Sequence, residues 1–321
     1  MENETTHIAS VFHDGELKVQ QQAGVSEKVA KYATKAIRSF MPDQHREFYQ
    51  QLPMILMGLT DQQGRPWATA AFGEQGFITS PDENSLLIKG SALLADELNL
   101  NTGQDSKVGL LGIELETRRR NRMNGYINSN TNDALHIHVD QSFGNCPQYI
   151  QRHNMSINTD TKSLDIRRSK TLNANGAAFI EDSDTFYIAS RTPDMSKDST
   201  SGVDVSHRGG RTGFVKVEQD GSISFPDFSG NRFFNTLGNI EADGRVGLFF
   251  PDFATGNTLF LTGWAEIRWD DPRIASLKGA ERIINVKPDE IVMATNALPL
   301  RGEFIDSWPN LKNTGVWGEQ N

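Results

Sequence analysis

The sequence predicts a mainly β (α+β) chain: a helical N-terminal segment, then two tandem copies of one antiparallel barrel or sandwich domain. Three observations lead there. Short apolar runs broken by turn residues dominate from residue 54 onward. Before that point, apolar positions recur near a 3.6-residue period. Four segments of the first half also return in register in the second. At about 150 residues per domain, 321 residues suggest two domains, each long enough to bury a core. Residues 1–160 are assigned to the helical lead-in and first domain, and 161–321 to the second.

From 25 to 51 the apolar positions Val29, Ala33, Ala36, Ile37 and Phe40, then Phe48 and Leu52, predict a pair of packing helices. Ser26 is the expected cap, and Pro42 breaks the pattern near its middle. Strands follow at 54–60, 67–72, 77–80, 85–89, 108–115 and 120–128, with turns at 61–64 and 81–84. Polar residues at 151–161 suggest a linker. In the second half, 177–180, 185–190, 203–207, 213–218, 222–225, 246–250 and 258–269 read as strands. The registered pairs are Gly76-Phe77-Ile78-Thr79 with Gly213-Phe214-Val215-Lys216, Ser85-Leu86-Leu87-Ile88 with Ser222-Ile223-Ser224-Phe225, Val108-Gly109-Leu110 with Val246-Gly247-Leu248, and Gly125-Tyr126 with Gly263-Trp264. A symmetric interface inherited from a homodimer would survive fusion, so the copies are expected to pack as a pseudo-dimer within one chain. A further homodimer stays open.

Composition narrows the function. With 41 acidic against 32 basic side chains, the net charge is -9, which disfavours nucleic acid or an anionic membrane surface as partner. One cysteine excludes a disulfide framework, a thiolate zinc site and a cysteine-held iron–sulfur cluster. No apolar run approaches the roughly 20 residues that span a bilayer, and residues 1–10 lack the pattern of a signal peptide. A cytoplasmic location is the expectation.

The strongest local signal runs from Val205-Ser206-His207-Arg208-Gly209-Gly210-Arg211 through Lys216 to Phe225-Pro226-Asp227-Phe228-Ser229-Gly230-Asn231-Arg232 and a helix start before Leu237. Guanidinium forks, an ammonium, short polar side chains and free helix-end amides are what a terminal phosphate requires. Asn231 is the expected cap of the short helix. A solvated basic edge with a structural turn is the alternative.

These residues resemble the FMN-binding split barrel of the pyridoxamine 5'-phosphate oxidase-like superfamily. The resemblance rests on Arg211-Thr212-Gly213-Phe214-Val215-Lys216, the spacing to Phe225, and the Asn231-Arg232 pair, and is most specific over 203–267. It implies two Greek-key split β-barrels. Arg211, Lys216 and Arg232 would hold the FMN phosphate, with Asn231 in place of the family's serine. Ser206, His207, Arg208, Pro226 and Asp227 would line the ribityl chain and ring edge. Phe233 stands where the oxidases carry a second basic residue, and their C-terminal element for pyridoxal phosphate has no match, so the resemblance supports the cofactor more than vitamin B6 oxidation.

The first repeat has Glu74 and Thr79 at the places of Arg211 and Lys216, so its own phosphate cradle is expected to be lost. It carries instead Arg118, Arg120 and Arg122 on one strand face. In paired split barrels the flavin sits between barrels, so Arg120 and Arg122 are assigned to the site built mainly by the second repeat. A charged, solvated edge strand is the alternative. His136 and His138 alternate on a strand, but no third metal ligand is evident. Cys146 reads as a packed thiol, in a segment that resembles one seen in some flavin-binding relatives. His13 reads as a turn residue, Gly244 as a turn closure, and Trp264 and Trp269 as barrel aromatics.

Two functions follow. One is an FMN-dependent oxidoreductase in which the flavin supplies the redox chemistry. With no Gly-x-Gly-x-x-Gly after a strand, NADPH or NADH would be a transient substrate. The other is a non-catalytic module that stores or senses FMN, or binds haem.

Overall fold

The computed structural model describes residues 10–131, 133–158, 162–196 and 198–319. Residues 1–9, part of the segment read for a leader, and 159–161, the end of the expected linker, lie outside the described residues. The chain is mainly β, with several antiparallel sheets.

Three helices come first: α1 (Asp14–Gln22), α2 (Ser26–Ala36) and α3 (Asp43–Gln51). Helix α1 escaped the apolar pattern because it buries Gly15, Glu16 and Gln20 beside Val19. His13 is its N-cap: Gly15 N donates to His13 Nδ1, and Glu16 closes a capping box. Ser26 is not a cap; Val25 holds that position without a side-chain bond.

The first sheet contains β1 (Met54–Thr60), β2 (Pro66–Phe72), β3 (Ile78–Thr79), β4 (Ser85–Lys89), β5 (Lys107–Glu114), β6 (Arg119–Asn130) and β7 (Ala134–Gly144), in the order β2-β1-β5-β6-β7-β4-β3. Next come β8 (Arg152–Ile157), β9 (Asp165–Ser169) and helix α4 (Ala174–Glu181). The second sheet holds β10 (Thr185–Arg191), β11 (Val203–Gly209), β12 (Lys216–Val217) and β13 (Ile223–Phe228). After helix α5 (Asn235–Ala242) it continues with β14 (Arg245–Pro251), β15 (Thr258–Arg268) and β16 (Ala280–Thr295). Its order is β11-β10-β14-β15-β16-β13-β12, with β9 added on β16. Each strand of the first sheet thus has a counterpart nine places later in the second. β17 (Leu300–Asp306) pairs with β8.

Four expectations are corrected. Residues 177–180 are helical, within α4 and behind an Asn173 cap, because a short apolar run does not by itself separate strand from buried helix. The linker segment contains strand β8, whose polar residues pair with β17. β6 lies between β5 and β7, so Arg120 and Arg122 are not on a solvated edge. Trp264 is not a core aromatic: it is 46% exposed, with the Arg245 guanidinium over its ring at 5.0 Å.

The sheets meet main chain to main chain. A β-carbon on Gly109 of β5 would lie 2.4 Å from the Val203 carbonyl oxygen and 2.8 Å from Asp204 Cα in β11. Reciprocally, one on Gly247 of β14 would lie 2.3 Å from the Pro66 carbonyl oxygen and 2.6 Å from Trp67 Cα in β2. One apolar core spans this junction, joining Ile55, Leu56, Trp67 and Leu110 to Tyr187, Phe249 and Phe260. A smaller cluster of Phe12, Val29, Ala33, Ile37, Phe143 and Phe233 docks α2 and the segment before α1 against both halves. No described helix is long and apolar enough to cross a membrane.

Candidate functional site

Strand β6 from the first sheet and strands β11 and β13 from the second line one cleft, with about 900 Å³ of unfilled space partly open to solvent. The alternation of a strand puts Arg120 and Arg122 on one face of β6, where both reach this cleft. From β11 come Ser206, His207 and Arg208, and from β13 come Pro226 and Asp227. The loop after β13 adds Asn231 and Arg232. Nine of the eleven residues singled out in the sequence therefore share one space.

Arg211 and Lys216 are not among the lining residues, which corrects the expected cradle. The Arg211 guanidinium donates to the Thr314 carbonyl at 3.0 and 2.8 Å and grips the Glu319 carboxylate. Lys216 pairs with Glu218 at 3.1 Å and lies 5.5 Å from the centre of the Trp317 ring. Both cations clasp the C-terminal segment, because the chain leaves β11 at Gly209 and turns through Gly213 at a φ of 86°. Arg232 reaches the cleft but donates two bonds to Glu281, at 2.5 and 2.6 Å, and one to Ser229 Oγ at 3.0 Å.

The loop from 229 to 234 turns through left-handed Arg232 and Phe234, at φ 66° and 64°. Such conformations cost bulky residues on the order of 1–3 kcal/mol and gather at ligand clamps. Here they start α5 so that Asn235, Thr236 and Leu237 line the cleft. Asn231 does not cap this helix; its Oδ1 accepts from Phe233 N, and α5 has no side-chain cap. The first-turn amides thus present partial positive charge to the cleft. Phe233 fills the position of the missing basic residue as an apolar anchor, its ring 5.5 Å from Tyr32 and 5.6 Å from Phe12.

Charge in the cleft is unbalanced. Four arginines, at 120, 122, 208 and 232, line it against two carboxylates, Asp227 and Glu281. Asp227 is already bonded to Arg282 at 2.9 Å. Arg122 contacts Asp204 at 3.3 Å and donates to Asn235 Oδ1 at 2.9 Å and to Ser206 Oγ. Arg120 donates through Nε to the Cys146 carbonyl at 2.5 Å. Burial, then the Arg122 and Arg208 charges, pull the Arg120 guanidinium down to about 10. Burial likewise lowers Arg122 and Arg208. His207 is held well below its ordinary value by burial, Arg120 and Arg208, and so is neutral. Buried and without a partner are Arg122 Nε, Arg208 Nε and both His207 ring nitrogens. Buried cations facing one another with unanswered donors are costly unless an anion joins them.

Several lining residues carried no decisive sequence signal. Glu281 comes from β16, far along the chain, and the Tyr149 hydroxyl donates to the Ser229 carbonyl at 2.9 Å. Cys146, read as a packed thiol, also lines the cleft. His138 stacks near Tyr126 at 4.9 Å, and no group of three metal-ligating side chains converges among the described residues.

No family model matches the chain, and no curated protein matches it. Solved structures similar to it include a candidate pyridoxamine 5'-phosphate oxidase from Lactobacillus delbrueckii, at 15% identity and a TM-score of 0.31, covering 38% of this chain and 94% of that one. HupZ of group A Streptococcus aligns at 12% identity and a TM-score of 0.30, over 38% and 92% of the two chains. A candidate pyridoxamine 5'-phosphate oxidase from Corynebacterium glutamicum aligns at 17% identity and 0.30, over 44% and 99%.

Proposed function

We propose that the arginine cleft binds FMN and that the protein is an FMN-dependent oxidoreductase, built as two tandem split barrels meeting as a pseudo-dimer. The observation that carries this is the buried arginine set of Arg120, Arg122 and Arg208, in which the Nε groups of Arg122 and Arg208 have no protein acceptor. FMN offers what the set lacks: a phosphate dianion and a flat ring edged with acceptors.

The α5 amides, Arg122 and the Ser206 and Thr236 hydroxyls would hold the phosphate, with Arg232 beside them. Arg120 and Arg208 would face the ring edge, with Pro226, Asp227 and Asn231 shaping the remaining wall. Bound FMN supplies hydride or electron transfer. The chain's part is electrostatic: fixed guanidinium groups in a water-poor cleft favour the negative charge that arrives on reduction. Neutral His207 has no proton to give, and hydride transfer asks for none. A nicotinamide would visit as the donor.

The test is a visible spectrum of the protein with FMN, followed by anaerobic titration with NADPH and NADH. A yellow protein bleached by nicotinamide is the expected result. A yellow protein that nicotinamides never reduce points to FMN storage or another donor, and a haem band to the other planar cofactor. Failure to bind at saturating FMN removes the proposal.

A further inference from the structure

A second cavity, with about 1060 Å³ of unfilled space, shares only the His207 wall with the arginine cleft. Its character is opposite. No arginine or lysine lines it, whereas Asp182, Asp184 and Asp252 do. Burial holds the Asp184 carboxyl above its usual range, against hydrogen bonds from the Thr185 side chain and from its own backbone. Carboxylates facing one space with no arginine or lysine among its lining favour a positive guest.

Three phenylalanines also line it, Phe179 from α4, Phe253 after β14 and Phe304 from β17, beside polar Gln151, Ser183 and Thr185. Phe304 is 55% exposed at this cavity, touching the His153 ring edge-on at 5.7 Å. An exposed phenylalanine over an acidic cavity is a ready cation–π and stacking surface. His207 is 5% exposed, lines the cavity, and has no partner on either ring nitrogen. As a neutral imidazole it offers one lone pair to an N–H donor. The phenylalanine lining suits a cation whose charge sits on an apolar body.

We propose that this cavity binds an organic cation, a protonated amine on an aromatic or similarly sized apolar body. The ammonium meets Asp184 and the free His207 nitrogen, and the body lies against Phe179, Phe253 and Phe304. This holds whatever occupies the arginine cleft.

The test is calorimetric titration of the full chain near neutral pH with benzylamine, benzyl alcohol and benzoate. Benzylammonium is expected to bind saturably, the alcohol at least about tenfold more weakly, and benzoate not at all. Asp184→Asn should weaken the amine roughly 10- to 150-fold and leave the alcohol unchanged. Phe304→Ala, at an exposed position, should weaken both. Absence of saturable amine binding, equal affinity for amine and alcohol, or an amine affinity that Asp184→Asn leaves intact overturns the proposal. Should Asp184→Asn fail to fold, the amine–alcohol contrast and Phe304→Ala decide alone: equal affinities, or no effect of Phe304→Ala, overturn it. A parallel FMN titration reports separately on the arginine cleft.

Discussion

Arg122 on β6 donates through Nη1 to the Oδ1 of Asn235, the first residue of α5, at 2.9 Å. A cation of the first sheet is thereby seated at the helix start that follows the second sheet's β13. Its other terminal nitrogen donates to Ser206 of β11, so one guanidinium ties three elements around the cleft. The same side chain cannot be changed without consequence for the fold.

Arg120 and Arg122 should therefore separate on substitution. Arg120 keeps one backbone bond, and its guanidinium lines the cleft. Arg120→Gln is expected to weaken FMN by roughly 10- to 150-fold and lower its reduction potential, with little change in melting temperature. Arg122→Gln leaves Asp204 with Asn124 and Asn239 but without its buried cation, and should cost on the order of 3–5 kcal/mol of stability as well. Exposed Lys89→Gln is the control. Unchanged flavin affinity in Arg120→Gln would assign that arginine to the fold.

Arg211→Ala should free the C-terminal segment by losing its bonds to Thr314 and Glu319 while FMN affinity stays put. Arg232→Ala, at the cleft wall, should weaken FMN more than riboflavin. Fluorescence titrations with both ligands distinguish them. An FMN-selective loss in Arg211→Ala would restore the cradle expected from the sequence.

FMN should bind at one equivalent per chain, because the arginine cleft has no charged counterpart in the other half. Thr258 and Phe260, the places that match Arg120 and Arg122, are buried. Flavin released by heat and quantified against protein measures this. A reproducible value near two would refute the asymmetry.

Glu16 links pH to the same region. Its carboxyl accepts from Asn235 Nδ2 and is held well above its ordinary 4.5 by burial and then by Asp204. The folded state thus holds this proton more tightly than the unfolded chain. The associated stability is full below about pH 4.5 and is lost as pH rises through the raised value. Glu16→Gln, neutral throughout, should remove that loss, so the variant gains on the parent by up to about 1.4 kcal/mol per pH unit within the window. Urea melts of both proteins between about pH 5 and 8 test it. A difference that does not vary with pH contradicts the assignment.

Gly247→Ala should be disproportionately harmful for one methyl group, because that carbon would lie 2.3 Å from the Pro66 carbonyl oxygen. Overpacking of this kind costs about 1–3 kcal/mol, and roughly 2–4 °C of melting temperature per kcal/mol. A variant melting with the parent would mean that the junction is loose.

Much of the architecture was legible where side chains alternate between turns: the bounds of β1 and β4 match the sequence expectation residue for residue. β16 was hidden because Lys287-Pro288-Asp289-Glu290 interrupts its apolar pattern, and the ladder absorbs this with a register shift opposite Gly263. Helix α1 was hidden because it packs with glycine rather than apolar bulk, a β-carbon on Gly15 falling 2.3 Å from the Gly238 carbonyl oxygen. In the cleft, alternation put Arg120 and Arg122 on one strand face, while their assignment to a site with Ser206 came from the resemblance to paired split barrels. Arg211 and Lys216 were not, because their destination depends on how the chain bends beyond Gly209. Asp184 and Phe304 carried no signal, since their cavity joins segments more than a hundred residues apart.

The reciprocal crossings at Gly109 and Gly247 have a bearing on how such a chain can change. Where backbone touches backbone, docking asks for positions that lack a side chain, Gly58 of β1 among them, where a β-carbon would lie 2.8 Å from the Asp204 carbonyl oxygen. Other residues can drift where the shared apolar core and the buried Arg122–Asp204 pair leave them free. One half can then carry uncharged groups, as at Thr258 and Phe260, while the other carries cations at Arg120 and Arg122. The junction is a hinge of tolerance: rigid in space, permissive in heredity, and so a place from which two equivalent surfaces can become one specialised cleft.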